Sequence, residues 1–300
     1  MLGEELHISG AFIYNGLRRF HEMKQLGFTD EVFEVLYNLS VGLERLLKIA
    51  VVLVDHNDVV DQEELEKSLI THNHLKLLDR IKKKVSVNLG APQVELLTLL
   101  SVFYKTIRYD RFSLSSVYNF DREIKAICDL FRKYLNVDIP RERSIFALYN
   151  EDRYRRFIHR TVIKISSAIF KVVRERAYFY THELRHGSKA ETIFLRKIDI
   201  SDEDILWKEL LVFFMNTKAS SGYLNFLRGI NPLDFDPEEI GDYLDCFKSD
   251  ASKSFVMDEI EHYYSEMGDS RKERLEMMKI IGDPEVCFVE PDDDGCNGST

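Results

Sequence analysis

A five-residue segment in the middle of the chain, His182-Glu183-Leu184-Arg185-His186, has residue types that could bind a metal. On a helix, the pattern His-Glu-x-x-His places two imidazoles one turn apart on a zinc ion and leaves the glutamate as general base. The surrounding residues alternate as in a β-strand, where positions four apart are separated by about 13 Å, too far for one zinc ion. Arg185 would also bring a cation into the site. We therefore expect exposed histidines, no metal and no other cofactor, and a zinc metallohydrolase is only a distant third interpretation.

Positive charge is concentrated in one long helix, predicted from about Asn150 to Arg176 and called here the basic helix. At about 100° per residue, six cations share one face of it. We call this face the cationic stripe, and it consists of Arg153, Arg156, Arg160, Lys164, Lys171 and Arg174. The opposite face is apolar and carries Ile158, Val162, Ile165, Ile169 and Val172.

The cationic stripe has the dimensions of a nucleic-acid contact. It extends for about 32 Å at the helical rise, long enough to reach several phosphates of an RNA or DNA backbone. Tyr149, Tyr154 and Phe157 lie near its N-terminal end and could stack on unpaired bases.

Two other interpretations of the cationic stripe remain open. Its charges could pair with acidic residues of the C-terminal third or of a partner protein, or they could form a solvated face with no specific role. The formal net charge is −10, but residues 141–176 carry about +6 and residues 199–300 about −16. This segregation of charge is more informative than the total.

Other catalytic motifs are missing from the sequence. There is no Gly-x-Ser-x-Gly nucleophile elbow and no glycine-rich phosphate loop. His72 and His74 are two positions apart and point in different directions from a helix, so we interpret them as core or surface histidines. The four cysteines lie far apart without a Cys-x-x-Cys pair, which indicates neither a zinc knuckle nor a disulfide scaffold.

The composition is typical of a folded, mainly helical protein. In 300 residues, 45% hydrophobic and 12% aromatic content suffices for a substantial core. Six prolines and fourteen glycines favour long helices over a many-turned β architecture. The longest apolar run, Ile49–Val54, is too short to cross a bilayer. We expect a cytoplasmic protein without membrane contact.

Helical periodicity dominates the first hundred residues and predicts an antiparallel four-helix bundle. The four helices are expected at Phe12–Met23, from Asp30 to about His56, from Asp61 to about Lys84, and from Gln93 to about Arg108. The second is apolar nearly all round and should lie at the centre of the bundle. Thr29 is expected to cap it.

The rest of the chain is predicted to be a second helical region. An amphipathic helix at Asp121–Asn136 precedes the basic helix, and two alternating segments, Tyr178–Arg185 and Ala190–Leu195, are interpreted as a small β-hairpin. Two further helices are expected, at Ile205–Asn216 and Asp258–Lys279. The predicted domains are residues 1–115, a helical bundle; residues 116–280, with the basic helix at 150–176 and the hairpin at 178–195; and residues 281–300, a disordered acidic tail.

Two N-terminal segments resemble the HEPN superfamily of small helical bundles. They are the central apolar helix with Leu39-Ser-Val-Gly-Leu-Glu-Arg-Leu-Leu-Lys48 and the following helix with His74-Leu-Lys-Leu-Leu78. The resemblance covers about the first third of the chain. Many HEPN proteins are dimeric, metal-independent ribonucleases of toxin–antitoxin and antiphage defence systems. The resemblance therefore implies a HEPN-like bundle, a homodimer and ribonuclease activity.

The resemblance also implies a catalytic pair. In HEPN ribonucleases, an Arg and a His with four to six residues between them meet at the dimer interface, near the start of the last core helix. The corresponding helix here is the fourth, which contains Arg108 and Arg111 near its end, but no histidine follows either until His159. Arg153 with His159 has the required spacing, as does Arg176 with His182. Because attack by a 2′-hydroxyl needs proton transfer and anion stabilisation but no metal, RNA cleavage would use His159 as general acid/base and Arg153 to stabilise the phosphorane-like charge.

The leading hypothesis is thus a HEPN-like helical protein that binds RNA through the cationic stripe and cleaves it without a metal. The alternative is a non-catalytic assembly or regulatory protein. In that case the basic helix pairs with the acidic C-terminal region or with a partner protein.

Overall fold

The computed structural model of the protein describes residues 2–56, 62–110, 121–139, 148–177, 184–197, 200–247, 253–283 and 285–288. These residues are mainly α-helical, as predicted, and they contain no β-strand; one isolated bridge pairs Gln25 with Tyr149. The chain divides into two compact units, unit 1 at residues 1–202 and unit 2 at residues 203–300.

Unit 1 contains nine described helices and the start of a tenth. They are α1 (Leu2–Glu22), α2 (Thr29–Asp55), α3 (Gln62–Ser68), α4 (His74–Lys82), α5 (Ala91–Val102), α6 (Arg108–Asp110), α7 (Arg122–Leu135), α8 (Asp152–Arg176) and α9 (Lys189–Glu191), followed by α10 (Ile200–Asn216), which continues into unit 2. A π-helical turn at Phe103–Ile107 joins α5 to α6, and another at Thr192–Arg196 follows α9.

Helix α2 is the centre of unit 1, as its apolar sequence predicted. It contacts α1, α4, α5, α7 and α8, and Leu43, Leu46 and Leu47 have no exposed surface. Burial of a leucine side chain contributes roughly 1.5–3 kcal/mol, so this helix dominates the stability of the unit. The helix begins at Thr29, one residue earlier than expected, so the predicted cap at Thr29 is wrong: Phe28 occupies the N-cap position and no side chain caps the helix.

Helices α1 and α2 pack at very close range around Gly42. A Cβ atom at this position would lie 2.7 Å from Ile13 Cγ1 and 2.8 Å from Ile13 N. The hydroxyl of Ser9 donates to the carbonyl of Gly42 at 2.8 Å across the same contact. Glycine is therefore required here for the approach of two backbones rather than for its backbone angles.

The predicted third helix is two helices in the structure, α3 and α4. The break comes before Asn73, whose side-chain oxygen accepts a hydrogen bond from Lys76 N at 3.2 Å and starts α4. An asparagine at the N-cap satisfies a backbone N–H that an uninterrupted helix would not leave free. The expected cap at Asp61 lies outside the described residues.

The prediction of a second hairpin strand at Ala190–Leu195 is wrong. Residues 189–196 are helical, because Ser188 accepts a hydrogen bond from Glu191 N at 3.2 Å and caps the first turn. Ala190, Ile193 and Phe194 are buried, and a spacing of three and four residues is that of a helix face. Most of the first strand, residues 178–183, lies outside the described residues.

The boundary between the two units differs from the domain boundary predicted near residue 115. Helices from both sides of that position share one core, in which Phe131 of α7 stacks on Tyr154 of α8 at 4.6 Å and approaches Phe20 of α1 at 6.3 Å. The hydrophobic core therefore continues through α8, and the unit ends at Asp202.

Unit 2 consists of short helices that follow α10. They are α11 (Gly222–Gly229), a 3₁₀ turn (Pro237–Glu239), α12 (Ile240–Asp245), α13 (Lys253–Glu266) and α14 (Ser270–Ile280). Helices α13 and α14 replace the single helix predicted there, and Gly268 at φ +54° lies between them. None of the described residues from 203 to 288 is buried. Residues 289–300, most of the predicted tail, lie outside the described part.

No helix among the described residues combines the length and apolar character needed to span a membrane.

Candidate functional site

The basic helix is α8, and its two faces are those predicted. It begins at Asp152 and ends at Arg176. The residues predicted to face the core are all buried: Ile158, Val162, Ile165, Ile169 and Val172. Burial of this face fixes the rotation of the helix, so the opposite face must lie at the surface.

All six cations of the cationic stripe are exposed. Arg153 pairs with Glu151, with Nε 2.8 Å from Oε2 and Nη2 2.9 Å from Oε1. Lys171 lies 3.8 Å from Glu175, an exposed pair of the kind that contributes little. Four cations form no ion pair with another described residue of unit 1: Arg156, Arg160, Lys164 and Arg174. Much of the stripe is therefore available to an external anion.

The three aromatic residues near the start of the stripe have different environments. Tyr154 is 1% exposed and stacks on Phe131, so it cannot stack on a base, contrary to the prediction. It heads the apolar face four residues before Ile158, and burial raises the pKa of its phenol. Phe157 packs against Phe131 at 6.0 Å. Tyr149, which is 65% exposed, can still meet a base.

A cleft of about 220 Å³ opens between the end of α1 and the start of α8. Its lining residues are Leu17, Phe20, His21, Asp152, Arg155, Arg156, His159 and Ile200. Two imidazoles, two guanidiniums and one carboxylate thus share one small cavity. Such groups can transfer protons and bind an anion.

Hydrogen bonds around Asn150 hold the two walls of the cleft together. Its buried side-chain amide donates to the carbonyls of Phe20 at 2.6 Å and Met23 at 3.1 Å, at the end of α1. Its backbone N–H donates to the carbonyl of Lys24 at 2.9 Å. We call these three bonds the Asn150 clasp. They join the segment before α8 to the end of α1, so the cleft exists without a ligand.

The polar atoms of the cleft are unevenly satisfied. Arg155 lies 3.2 Å from Asp152 and donates from Nη2 to the carbonyl of Met23 at 3.3 Å. Two buried atoms, His159 Nε2 and Arg155 Nε, have no hydrogen-bond partner within the described residues. Leaving a buried polar atom unpaired costs about 1–3 kcal/mol, so a polar ligand or water would stabilise both.

The predicted catalytic pair, Arg153 and His159, is not brought together in the cleft. His159 lines it and Arg153 does not, because six residues correspond to about 240° around a helix at about 100° per residue. Arg153 instead engages Glu151 and lies 5.1 Å from the centre of the Tyr154 ring. Arg156 is the member of the cationic stripe that shares the cleft with His159.

Two lining residues, His21 and Arg155, escaped the sequence-based prediction. His21 belongs to α1, far from α8 in sequence, and no periodicity indicates that the two helices meet at that point. Arg155 falls outside the cationic stripe. Asn150 did carry a local signal, because asparagine before a helix often makes side-chain hydrogen bonds, but here its bonds go to another helix.

A second ionisable cluster joins α2, the start of α4 and the π-helical turn after α5. His72 Nδ1 lies 3.0 Å from the carboxylate of Glu44, which is 6% exposed and also pairs with Lys48 at 2.7 Å. The His72 ring packs edge-on against the Tyr104 ring at 4.7 Å. The guanidinium of Arg108 lies 4.0 Å from the centre of the Tyr104 ring. A glutamate within an apolar helix was the available signal for this cluster.

His74 is a core histidine, as one of its two interpretations held. It has no exposed surface, and its Nε2 lies 2.9 Å from the carbonyl of Ser40. Burial lowers the pKa of its imidazole, so the ring is neutral at physiological pH.

Metal and thiol chemistry find little support in the described residues. His186 is exposed and lies 3.3 Å from Glu191, while His182 and Glu183 lie outside the described part. No group of three or more His, Cys, Asp or Glu in that part is arranged to hold a metal ion. Burial raises the pKa of the Cys128 thiol to about 11, which keeps it protonated and unreactive.

No protein-family model, curated protein or solved structure matches this chain. Its function must therefore be inferred from the cationic stripe and the cleft.

Proposed function

We propose that the protein binds RNA through the cationic stripe of α8. The observation that carries this proposal is the exposure of all six cations along about 32 Å of one helix face. Four of them have no ion-pair partner among the described residues of unit 1. A stripe whose charges were spent on internal ion pairs would not attract a polyanion.

Electrostatic attraction and base stacking together support a single strand as the ligand. Each phosphate neutralised by a lysine or arginine releases counterions, which makes such binding steeply dependent on salt. The ring of Tyr149 lies exposed next to the start of α8, and stacking on one base contributes about 1–3 kcal/mol.

The proposal includes metal-independent cleavage of the bound RNA, with His159 as a proton-transfer group. His159 lines the cleft together with Arg156, which belongs to the cationic stripe. An RNA strand bound along the stripe would therefore pass the imidazole of His159. A HEPN-like origin of unit 1 is part of the same proposal, and it rests on the sequence resemblance of the segments that form α2 and α4.

A titration of fluorescent single-stranded RNA with the full chain tests binding. We expect affinity to fall steeply between about 50 and 200 mM salt. The triple variant Arg160→Gln/Lys164→Gln/Arg174→Gln should lower the slope of log K against log salt by about 2, since each lost contact contributes about 0.7 for single strands.

The matched control changes three exposed lysines of unit 1 outside α8. Lys67→Gln/Lys76→Gln/Lys83→Gln alters the net charge by the same amount and should leave the slope nearly unchanged. Salt-insensitive binding, or equal losses in both triple variants, would rule out the cationic stripe as the RNA site.

A second candidate function is protein assembly without catalysis. It is favoured by α10, whose large apolar side chains are extensively exposed: Ile205, Leu206, Leu210, Val212, Phe213, Phe214 and Met215. Exposed apolar patches of this kind typically mark interaction surfaces. If α10 mediates self-assembly, the full chain should sediment as an oligomer and Phe213→Ser/Met215→Ser should sediment as a monomer. A monomer in both cases would remove this candidate.

A further inference from the structure

The cleft beside α8 contains a second imidazole that sequence reasoning did not single out. His21 from α1 and His159 from α8 line the same cavity of about 220 Å³, together with Arg156. The Asn150 clasp ties the ends of these two helices to each other. Two groups that can transfer protons and one that can bind an anion therefore line the same cleft before any ligand arrives.

The size of the cleft indicates which part of a ligand it accepts. Pockets that enclose whole small molecules usually measure about 300–1,000 Å³, and this one is smaller. We expect such a volume to hold a tetrahedral phosphate and its ester oxygens. The rest of a polynucleotide would have to lie outside, along the exposed face of α8.

The charges in the cleft favour an anion at Arg156. Arg155 lies 3.2 Å from Asp152, which offsets its charge, and the same side chain is engaged by the carbonyl of Met23. Arg156 donates from Nε to the backbone carbonyl of Asp152 at 3.3 Å, which leaves its charge without a carboxylate partner in the cleft. The unpaired Nε2 of His159 adds a polar atom in need of a partner.

We propose that His21 is the second catalytic residue of this cleft, acting with His159 on an RNA phosphodiester that Arg156 binds. The inference rests on the proposed function, since it requires RNA on the cationic stripe. It deepens that function by naming the bond that is broken and the group that completes the proton transfer.

The reaction is an internal transesterification of the RNA and needs no metal or water. One imidazole, neutral, accepts the proton of the 2′-hydroxyl while the 2′-oxygen forms a bond to phosphorus. The bond from phosphorus to the 5′-oxygen of the next nucleotide breaks, and the other imidazole, protonated, donates its proton to that oxygen. The products are a 2′,3′-cyclic phosphate and a 5′-hydroxyl. Arg156 offsets the extra negative charge of the phosphorane-like transition state.

Single-residue variants of the full chain test this assignment on a single-stranded RNA oligonucleotide. General acid–base catalysis contributes about 10²–10⁴-fold, so His21→Gln and His159→Gln should each lower kcat by roughly 100-fold or more at unchanged RNA affinity. His262→Gln, an exposed histidine of unit 2, is the matched control and should cleave like the unmodified chain. An oligonucleotide with a 2′-deoxy sugar at the cleaved position should bind and stay intact.

The pH profile separates proton transfer from a structural role. The ionisable groups that line the cleft are His21, His159, Asp152, Arg155 and Arg156. With one imidazole acting neutral and the other protonated, kcat/KM should follow a bell-shaped curve whose two limbs report the two histidines. Each histidine variant should lose one limb, and a residue that only supports the fold would leave both.

The outcomes distinguish this inference from the proposed function. Cleavage that survives His21→Gln with both limbs intact, or RNA that is bound but never cleaved, overturns the role of His21 and leaves RNA binding in place. Absence of salt-dependent RNA binding overturns the proposed function and this inference with it. Loss of binding in His21→Gln would instead make His21 a binding residue and would also overturn its catalytic role.

Discussion

The two units of this protein differ in the burial of their apolar residues. Unit 1 assembles a continuous core from α1, α2, α4, α5, α7 and α8. The described residues of unit 2 contain no buried side chain, and their aromatic residues pair at half-exposed positions, as Trp207 does with Phe247 at 5.4 Å. Apolar composition is therefore not sufficient for a core; long helices that can surround a central one are also needed.

The two units also differ in charge. Residues 203–300 carry twenty-three Asp and Glu but only nine Lys and Arg, whereas the cationic stripe belongs to unit 1. Unit 2 thus combines exposed apolar side chains with strong negative charge, whereas the cationic stripe lies on a unit with a buried core. Unit 1 has a buried scaffold on which a site can be held rigidly.

The largest expected difference between the units concerns truncation of a leucine. Leu47→Ala in α2 removes a side chain with no exposed surface and should lower the free energy of unfolding by about 3 kcal/mol. Leu210→Ala in α10, where the side chain is 47% exposed, should change it by less than about 0.5 kcal/mol. Urea denaturation followed by circular dichroism measures both. Equal losses would show that unit 2 has a core of its own.

A glycine substitution sharpens the same comparison. Gly42→Ala would place a Cβ 2.7–2.8 Å from Ile13, and the forced separation of α1 and α2 should cost about 2–3 kcal/mol. Gly241→Ala in α12 meets nothing within 4 Å and should be neutral or stabilising by up to about 1 kcal/mol. Melting temperatures of the two variants check this. A destabilising Gly241→Ala would reveal close packing in unit 2.

The Asn150 clasp offers a third test. Asn150→Ala removes the side-chain hydrogen bonds to the carbonyls of Phe20 and Met23, of which Met23 retains the bond from Arg155, so unfolding should become easier by about 2 kcal/mol. The control is Asn225→Ala in unit 2, whose bond to Ser220 is exposed; its effect should stay below about 0.5 kcal/mol. Amide exchange at the end of α1 should accelerate in the first variant alone. Unchanged exchange there would contradict the role of the clasp.

The smallest expected effect is a dependence on pH. Burial lowers the pKa of His74 in the folded state, so the unfolded chain takes up a proton more readily as pH falls below about 6.5. Folding stability contributed by neutral His74 is present above that pH and is lost progressively as pH falls below it. His74→Gln should flatten this part of the stability curve, and His262→Gln in unit 2 should not. A curve equally steep in both variants would assign the effect to other groups.

Much of the fold could be predicted from periodicity alone. The limits of α2 and α8 lie within two residues of those expected, because long helices with one clear apolar face leave few alternatives. Two of the errors in the helices came where a local cap competed with periodicity. Asn73 starts α4 inside a region that looked like one helix, and Ser188 with Glu191 makes a helix from residues that alternate like a strand.

The candidate site was less predictable than the fold. The cationic stripe follows from helical geometry and could be predicted. The prediction that Tyr154 contacts a base was wrong, because Tyr154 lies one helical turn before Ile158 on the apolar face and is buried. The pairing of His21 with His159 depends on how α1 meets α8, and neither helix carries a signal for its partner. Sequence periodicity describes the faces of a helix but not the identity of the neighbour on each face.

The Asn150 clasp has a consequence for kinetics. Because both walls of the cleft are fixed to each other in the free protein, an incoming strand does not have to bring the end of α1 and the start of α8 together. Its rate of association should therefore be set by diffusion in the field of the cations and should slow as ionic strength rises, with no additional isomerisation phase in stopped-flow traces.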